Sequence, residues 1–208
     1  MNKFSNRVVR KVVGFVRDAR IRREYPQLKT AFRIQSHLTV EERVQLYIIA
    51  VNRGAICEIG SYVGASACCF GAAAKESGSG QVLCIDTWTN DAMSEGHRQT
   101  WSEFAENTAE YRDLLRPIRG FSTEVIDEVR AHATILDVLF IDGDHSYEGV
   151  KADWDNYKGM LKVGSVVVFH DYGWADGVRR VVHDEVVPLT TNRGSLPNMW
   201  WGTLSIAP

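Results

Sequence analysis

The sequence is short of long apolar runs, of paired cysteines and of the usual nucleotide-loop signatures. No apolar stretch nears the roughly 18 uncharged residues that a membrane-spanning helix needs. A secretory leader is not expected, because Arg17, Asp18 and Arg20 follow too closely on the short Val/Phe segment. Only four cysteines occur, Cys57, Cys68, Cys69 and Cys84, and their spacing matches no zinc pattern. All four fall in segments that read as core, so buried, reduced thiols of a cytoplasmic protein are expected. No Gly-x-Gly-x-x-Gly and no Gly-Lys-Ser/Thr is present, which argues against a dinucleotide fingerprint and a phosphate-cradling loop.

What is present is an ordinary globular composition: 208 residues, 45% apolar and 24% charged. A chain this long hides roughly 70% of its unfolded surface, so it needs neither disulfides nor a metal to fold. The net charge of −2 is unevenly spread. Residues 1–30 hold nine Lys/Arg against Asp18 and Glu24, or +7, leaving −9 for the rest. Within residues 3–23, Phe4, Val8, Val12, Phe15 and Ala19 recur at helical spacing, with arginines filling the other side. Such a helix packs on its own domain, on a second copy as a homodimer contact, or on an anionic membrane surface as a peripheral anchor. Nucleic acid is not an expected partner, because the basic residues sit in one terminal helix and the body is acidic.

Val40 to Val51 reads as a helix, with Thr39 and Glu42 at capping-box spacing. Short apolar runs then alternate with helical stretches. Strands are expected at Ala55–Ile59, Gln81–Ile85, Leu115–Arg119, Ile135–Ile141, Ser165–Phe169 and Trp200–Ile206. Helices are expected over 65–76, 98–113, 122–131, 146–161 and 174–187. This alternation predicts an α/β fold, a doubly wound and mostly parallel sheet. The last strand follows a loop bearing Pro188, Gly194 and Pro197 and is expected to enter antiparallel. The organisation read is a helical extension over 1–37 and one domain over 38–208.

In such a sheet, ligands bind outside the carboxyl ends of the strands. Glu58-Ile59-Gly60-Ser61-Tyr62-Val63-Gly64-Ala65-Ser66 follows the first strand. Gly60 permits a tight turn, and Glu58 suits a cationic ligand group while repelling a pyrophosphate. Asp86, after the second strand, suits ribose hydroxyls or a turn. Ser122 follows the third strand and suits a helix cap or an adenine edge. Asp142, Asp144 and His145 follow the fourth strand; His170 and Asp171 follow the fifth. Five ionisable side chains at two strand ends mark a site.

These motifs together resemble the class I S-adenosylmethionine-dependent methyltransferases over about residues 38–208. The stretches DTWTNDAMSEG, IDGDHSYEGVKADW and FHDYGWADGV are similar to small bacterial methyltransferases of sugar and natural-product pathways. The resemblance implies a seven-stranded Rossmann-like methyltransferase fold with added N-terminal helices. It implies a cofactor-binding set of Glu58, Gly60, Ser61, Tyr62, Gly64, Ser66, Asp86, Thr87, Trp88, Ser122 and Asp142, with Thr123 also bordering the adenine. It also implies a Mg2+ or Mn2+ ion on Asp142, His170 and Asp171, where imidazole suits manganese, iron or zinc better than magnesium. The matching general base is His145, with Asp144 in reserve, acting on a small hydroxylated acceptor such as a sugar or natural product. His170 has an alternative role, orienting substrate or hydrogen-bonding Asp144. Trp88–His97 is expected to form a lid, and Trp174, Trp200 and Trp201 to line an acceptor pocket or the core. A non-catalytic cofactor-binding or assembly protein and a nicotinamide-dependent oxidoreductase are the competing readings.

Overall fold

The first, second and fourth strands and the second half of the fifth bury both faces, and that pattern requires helices above and below the sheet. The structure, a computed structural model, describes residues 14, 16–89 and 96–208. Helix α1 is described over residues 16–24. It is followed by α2 (Val40–Ala50), β1 (Ala55–Ile59), α3 (Ala65–Ser77), β2 (Gln81–Asp86), α4 (Trp101–Asn107) and β3 (Leu115–Arg119). Then come α5 (Ile126–His132), β4 (Leu136–Ile141), α6 (Tyr147–Tyr157), β5 (Leu161–His170), α7 (Asp176–Val181), β6 (Thr190–Leu196) and β7 (Met199–Leu204). The seven strands form one sheet in the order β3-β2-β1-β4-β5-β7-β6. The first five are parallel, and β7 enters antiparallel to β5.

Alternate strand residues point to opposite faces. Ile56, Val82, Cys84, Val138, Phe140 and Val168 pack beneath α2 and α3. Cys57, Ile59, Leu83, Ile85, Leu139, Val167 and Phe169 pack against α5, α6 and α7. The strand order reverses between β1 and β4, so their carboxyl ends diverge there and open a crevice. Helix α3 lies close to the sheet because its residues are small. A Cβ on Gly71 would come within 2.7 Å of the Tyr111 ring. All four cysteines are free and buried.

The capping box at Thr39 and Glu42 is formed, with Thr39 N–H donating to Glu42 at 2.8 Å and Glu42 N–H to Thr39 at 3.2 Å. Three expectations need correction. The Pro/Gly loop before the last strand contains β6, a polar edge strand whose register shifts between Thr191 and Gly194. That irregularity, with Asn192 at φ +46°, hides a strand from pattern reading. Strand β5 starts at Leu161 rather than Ser165, because Gly164 at φ +91° absorbs a register shift instead of ending the ladder. The boundary at residue 37 falls inside the packed unit: Leu28, Ala31, Phe32 and Ile34 belong to the core beneath α2 and α3.

The amphipathic helix expected over 3–23 lies largely outside the described residues. In the part that is described, three of the four arginines are engaged within the chain. Arg17 pairs with Glu41 at 2.5 Å, Arg20 with Glu24 at 2.8 Å, and Arg22 donates to the Phe32 carbonyl at 2.7 Å. No helix among the described residues is long and apolar enough to cross a membrane.

Candidate active site

A cavity of about 360 Å³ opens at the carboxyl ends of β1 to β5. That size suits a bound cofactor. Its walls come from the turn after β1 (Gly60, Ser61, Tyr62), the end of β2 (Asp86, Thr87), the loop after β3 (Phe121, Ser122, Thr123) and the end of β4 (Asp142, Asp144, His145). His170 of β5, Ser66 and Asp153 complete it, with Ser36, His37 and Leu38 from the segment before α2.

The turn after β1 depends on Gly60. Its φ is +90°, and a Cβ there would overlap the Asp142 carbonyl oxygen. Gly60 and Ser61 N–H both donate to the Ile85 carbonyl, at 2.9 and 3.3 Å, which ties the turn to β2. Gly64 has a different reason to be glycine. It caps α3 at φ +89°, and a Cβ would lie 2.5 Å from Thr108. Gly64 therefore packs against α4 rather than lining the cavity.

Glu58 lies under this turn, fully buried, and neither carboxylate oxygen accepts a hydrogen bond. Burial pushes its pKa up to about 7, while the nearby Ser61 and Ser66 hydroxyls oppose the shift without bonding it. An orphaned buried carboxylate beside a cavity fits a cationic group such as the ammonium of a methionine moiety. Asp86 braces the turn, accepting from Tyr62 N–H at 2.7 Å and from Trp88 N–H at 2.6 Å. A carboxylate at this strand end suits ribose hydroxyls.

Trp88 needs correction as a member of the cofactor-binding set. Only its backbone reaches Asp86. Its side chain is sealed in a cluster with Trp101 and Phe104, each ring centre 4.9 Å away. Residues 90–95 of the expected Trp88–His97 lid lie outside the described residues. Among the other tryptophans, Trp200 is buried against Phe169, and Trp201 packs over Gly194. Trp174 is 59% exposed, with its ring 4.9 Å from that of His145.

The charged centre forms where β4 and β5 end. Strand β5 stops at His170, and Asp171 takes a left-handed φ of +57°, so consecutive side chains converge instead of pointing apart. His170 is 2% exposed. Its Nδ1 lies 3.0 Å from Asp142 and 3.4 Å from Asp171, and its Nε2 lies 3.7 Å from Glu42. Burial lowers its pKa, but Asp142, Asp171 and Glu42 outweigh burial and push it up to about 12. His145 Nε2 lies 2.7 Å from Asp171 Oδ2. That hydrogen bond raises the His145 pKa, with burial opposing. Asp171 Oδ1 also accepts from Trp174 Nε1 at 2.7 Å and Asn198 Nδ2 at 2.9 Å. Asp171 is thereby held well below the usual carboxylate range, although burial opposes.

The hydrogen bond considered between His170 and Asp144 is not made. Asp144 instead accepts from Ser146 N–H at 2.7 Å and braces the start of α6. Asp142, His170 and Asp171 each offer a ligand atom within 4.8 Å of the other two. Two oxygens and one imidazole nitrogen, with the second imidazole nitrogen facing a carboxylate, fit a divalent cation. Sequence reasoning missed Glu42, read only as a helix cap, and Asp153 and Phe121, which it did not single out.

The family model described as a methyltransferase domain matches residues 57–172, more than half of the chain. Among curated proteins, the uncharacterized protein y4gI of Sinorhizobium fredii is 31% identical over 118 residues, 56% of this chain and 13% of that protein. An uncharacterized protein of Acanthamoeba polyphaga mimivirus is 35% identical over 63 residues, 29% of this chain and 28% of its own. The matched stretches thus span a small part of these relatives. Among solved structures, cofactor-bound Rv0187 from MTB superposes with a TM-score of 0.65 at 14% identity, covering 87% of this chain and 90% of that one. The O-methyltransferase NovP gives 0.63 at 14% identity, with 82% and 83% covered. CalS11, a TDP-rhamnose 3'-O-methyltransferase of calicheamicin biosynthesis, gives 0.59 at 16% identity, with 88% and 95% covered. At these identities the structural likeness speaks for the fold.

Proposed function

The chain belongs to the class I S-adenosylmethionine-dependent methyltransferases, and from that premise we propose that it methylates a hydroxyl group of a small acceptor such as a sugar, with His145 as general base. The observation that carries this reading is the His145–Asp171 pair, 2.7 Å apart beside the cavity. Asp171 accepts the hydrogen bond from Nε2–H, which leaves the Nδ1 lone pair to act. When bound, the cofactor supplies a methyl group on a positive sulfur. His145 Nδ1 takes the hydroxyl proton as the oxygen–carbon bond forms and the carbon–sulfur bond breaks. The walls of the cavity hold the reacting atoms in line. The exposed face of Trp174 beside His145 is a stacking surface for a sugar or aromatic acceptor. NovP and CalS11, as O-methyltransferases of the same fold, support an oxygen target.

A His145→Ala variant tests the assignment. It is expected to bind S-adenosylhomocysteine like the wild type and to lose transfer by about 100- to 10,000-fold. Unchanged transfer would remove His145 from the chemistry. Loss of transfer with binding intact also separates an enzyme from a non-catalytic cofactor-binding protein.

A second reading concerns the Asp142, His170 and Asp171 triad. We propose that it holds a divalent ion, with manganese favoured over magnesium by the imidazole donor. Such an ion supplies positive charge that lowers the pKa of an acceptor hydroxyl. Full activity in chelator, or no calorimetric heat on manganese titration, would overturn it. The arginine-rich helix α1 and the residues before it remain our proposed contact with a second copy or an anionic membrane. Sedimentation and vesicle flotation test the two outcomes.

A further inference from the structure

Helix α2 carries a buried charge that its own cap does not require. Glu42 Oε2 completes the capping box, accepting from Thr39 N–H at 2.8 Å and from Thr39 Oγ1 at 2.9 Å. Its Oε1 has no hydrogen-bond partner, and the residue is fully buried. A glutamine serves a capping box as a glutamate does, and buries no charge. A carboxylate this deep is costly unless a cation or a donor faces it. Glu42 nonetheless stays below the ordinary carboxyl value: burial pushes it up, and His170 and Thr39 together outweigh burial.

The group that faces it belongs to β5. His170 Nε2 lies 3.7 Å from Glu42 Oε2, an ion-pair distance rather than a closed hydrogen bond. On the other side of the ring, Nδ1 lies 3.0 Å from Asp142 and 3.4 Å from Asp171. Asn198 Nδ2 also stands 3.4 Å from Nε2, but it donates to Asp171 Oδ1 at the shorter distance of 2.9 Å. The Asn198 amide is thus committed to Asp171, and Glu42 supplies the negative charge on the Nε2 side. For Nδ1 to offer a lone pair beside Asp142 and Asp171, its proton must pass to solvent while the other proton stays on Nε2. A carboxylate behind Nε2 favours that tautomer; a neutral group there does not.

We propose that Glu42 is a positioning residue for the ion site: its charge keeps the proton on His170 Nε2 and so aims the Nδ1 lone pair at the corner where Asp142 and Asp171 meet. The inference rests on the divalent-ion reading above. It gives the helix before β1 a part in the site at the end of β5, and it accounts for a charge where the cap alone would accept glutamine.

Calorimetric titration of the unliganded protein with manganese chloride tests this on the wild type, Glu42→Gln and Thr39→Ala. Glu42→Gln keeps a capping oxygen without the charge, and is expected to weaken manganese binding by about 10- to 100-fold. Thr39→Ala loosens the cap while its backbone N–H still reaches Glu42; its melting temperature should fall, and its manganese affinity should stay within about threefold of the wild type. Nitrogen-15 NMR of the wild type with zinc, a diamagnetic probe, is expected to show His170 ligating through Nδ1 with the proton on Nε2. That spectrum decides the matter if Glu42→Gln fails to fold. Manganese binding by Glu42→Gln within about threefold of the wild type, an equal loss in Thr39→Ala, or zinc ligation through Nε2 overturns the assignment. A wild type that gives no heat with manganese and no zinc-dependent shift at His170 overturns the divalent-ion reading beneath it.

Discussion

Glu58→Gln separates what the site does from what it costs the fold. Glu58 is fully buried without a hydrogen bond, and its folded pKa of about 7 stands above an ordinary value of 4.5. Between those two values the folded chain keeps a proton that the unfolded chain has lost. Unfolding therefore becomes easier as pH rises through that window, and the full cost is present above pH 7. The difference corresponds to roughly 3 kcal/mol. Glutamine carries no charge and removes this dependence. Urea unfolding of the unliganded protein should show the variant close to the wild type at pH 5 and more stable by about 3 kcal/mol at pH 8.5. Saturating S-adenosylhomocysteine should shrink or reverse the gap, because the ligand ammonium pairs with the ionised Glu58 only in the wild type. A variant no more stable than the wild type at pH 8.5 would refute the reasoning, since the charge would then carry no burial cost. A variant that gains stability yet binds the ligand equally well would leave Glu58 without a role in the site.

Gly60→Ala should destabilise the protein by roughly 2–4 kcal/mol, from left-handed strain and overlap with the Asp142 carbonyl. Chemical denaturation reads this, and a loss under 1 kcal/mol would mean the turn relaxes at about no cost. Trp174→Ala should raise the KM for a sugar acceptor about tenfold while S-adenosylhomocysteine affinity stays constant. An unchanged KM removes the ring from acceptor binding. Asp144→Ala should lose about 1 kcal/mol of stability, because Ser146 N–H loses its partner at the start of α6. It should retain transfer; a fall in kcat of about 1,000-fold would move the base from His145 to Asp144.

The parallel half of the fold was legible because its signals are local. Runs such as Leu136–Ile141 bury nearly every side chain and stand between amphipathic segments, a pattern few alternatives satisfy. The antiparallel edge was less legible. Strand β6 reads Thr-Thr-Asn-Arg-Gly-Ser-Leu, polar and mostly exposed, and is held by backbone pairing to β7 rather than by burial. Backbone pairing leaves no trace in side-chain periodicity. The start of β5 was hidden for a related reason. Lys162 and Gly164 look like a loop, while Ser165 Oγ donates to the Leu136 carbonyl at 2.7 Å and keeps the ladder closed.

The site follows the same logic with the sign inverted. Residues directly after strands were found because topology places them at the crevice whatever their side chains do. Asp153 was missed because it lies eleven residues beyond Asp142 in the sequence and reaches the cavity from a helix. A signal for it was present, however. Val150, Asp153, Trp154 and Tyr157 follow one helical face, and all four are buried. A carboxylate within that stripe breaks the pattern of its own helix. Glu58 breaks the pattern of β1 in the same way, buried between Cys57 and Ile59. Chains tolerate such contradictions where something outside the fold relieves them. Of the two buried acids that the apolar pattern cannot explain, Asp153 lines the cavity and Glu58 lies beneath the turn that walls it, so both contradictions stand at one site.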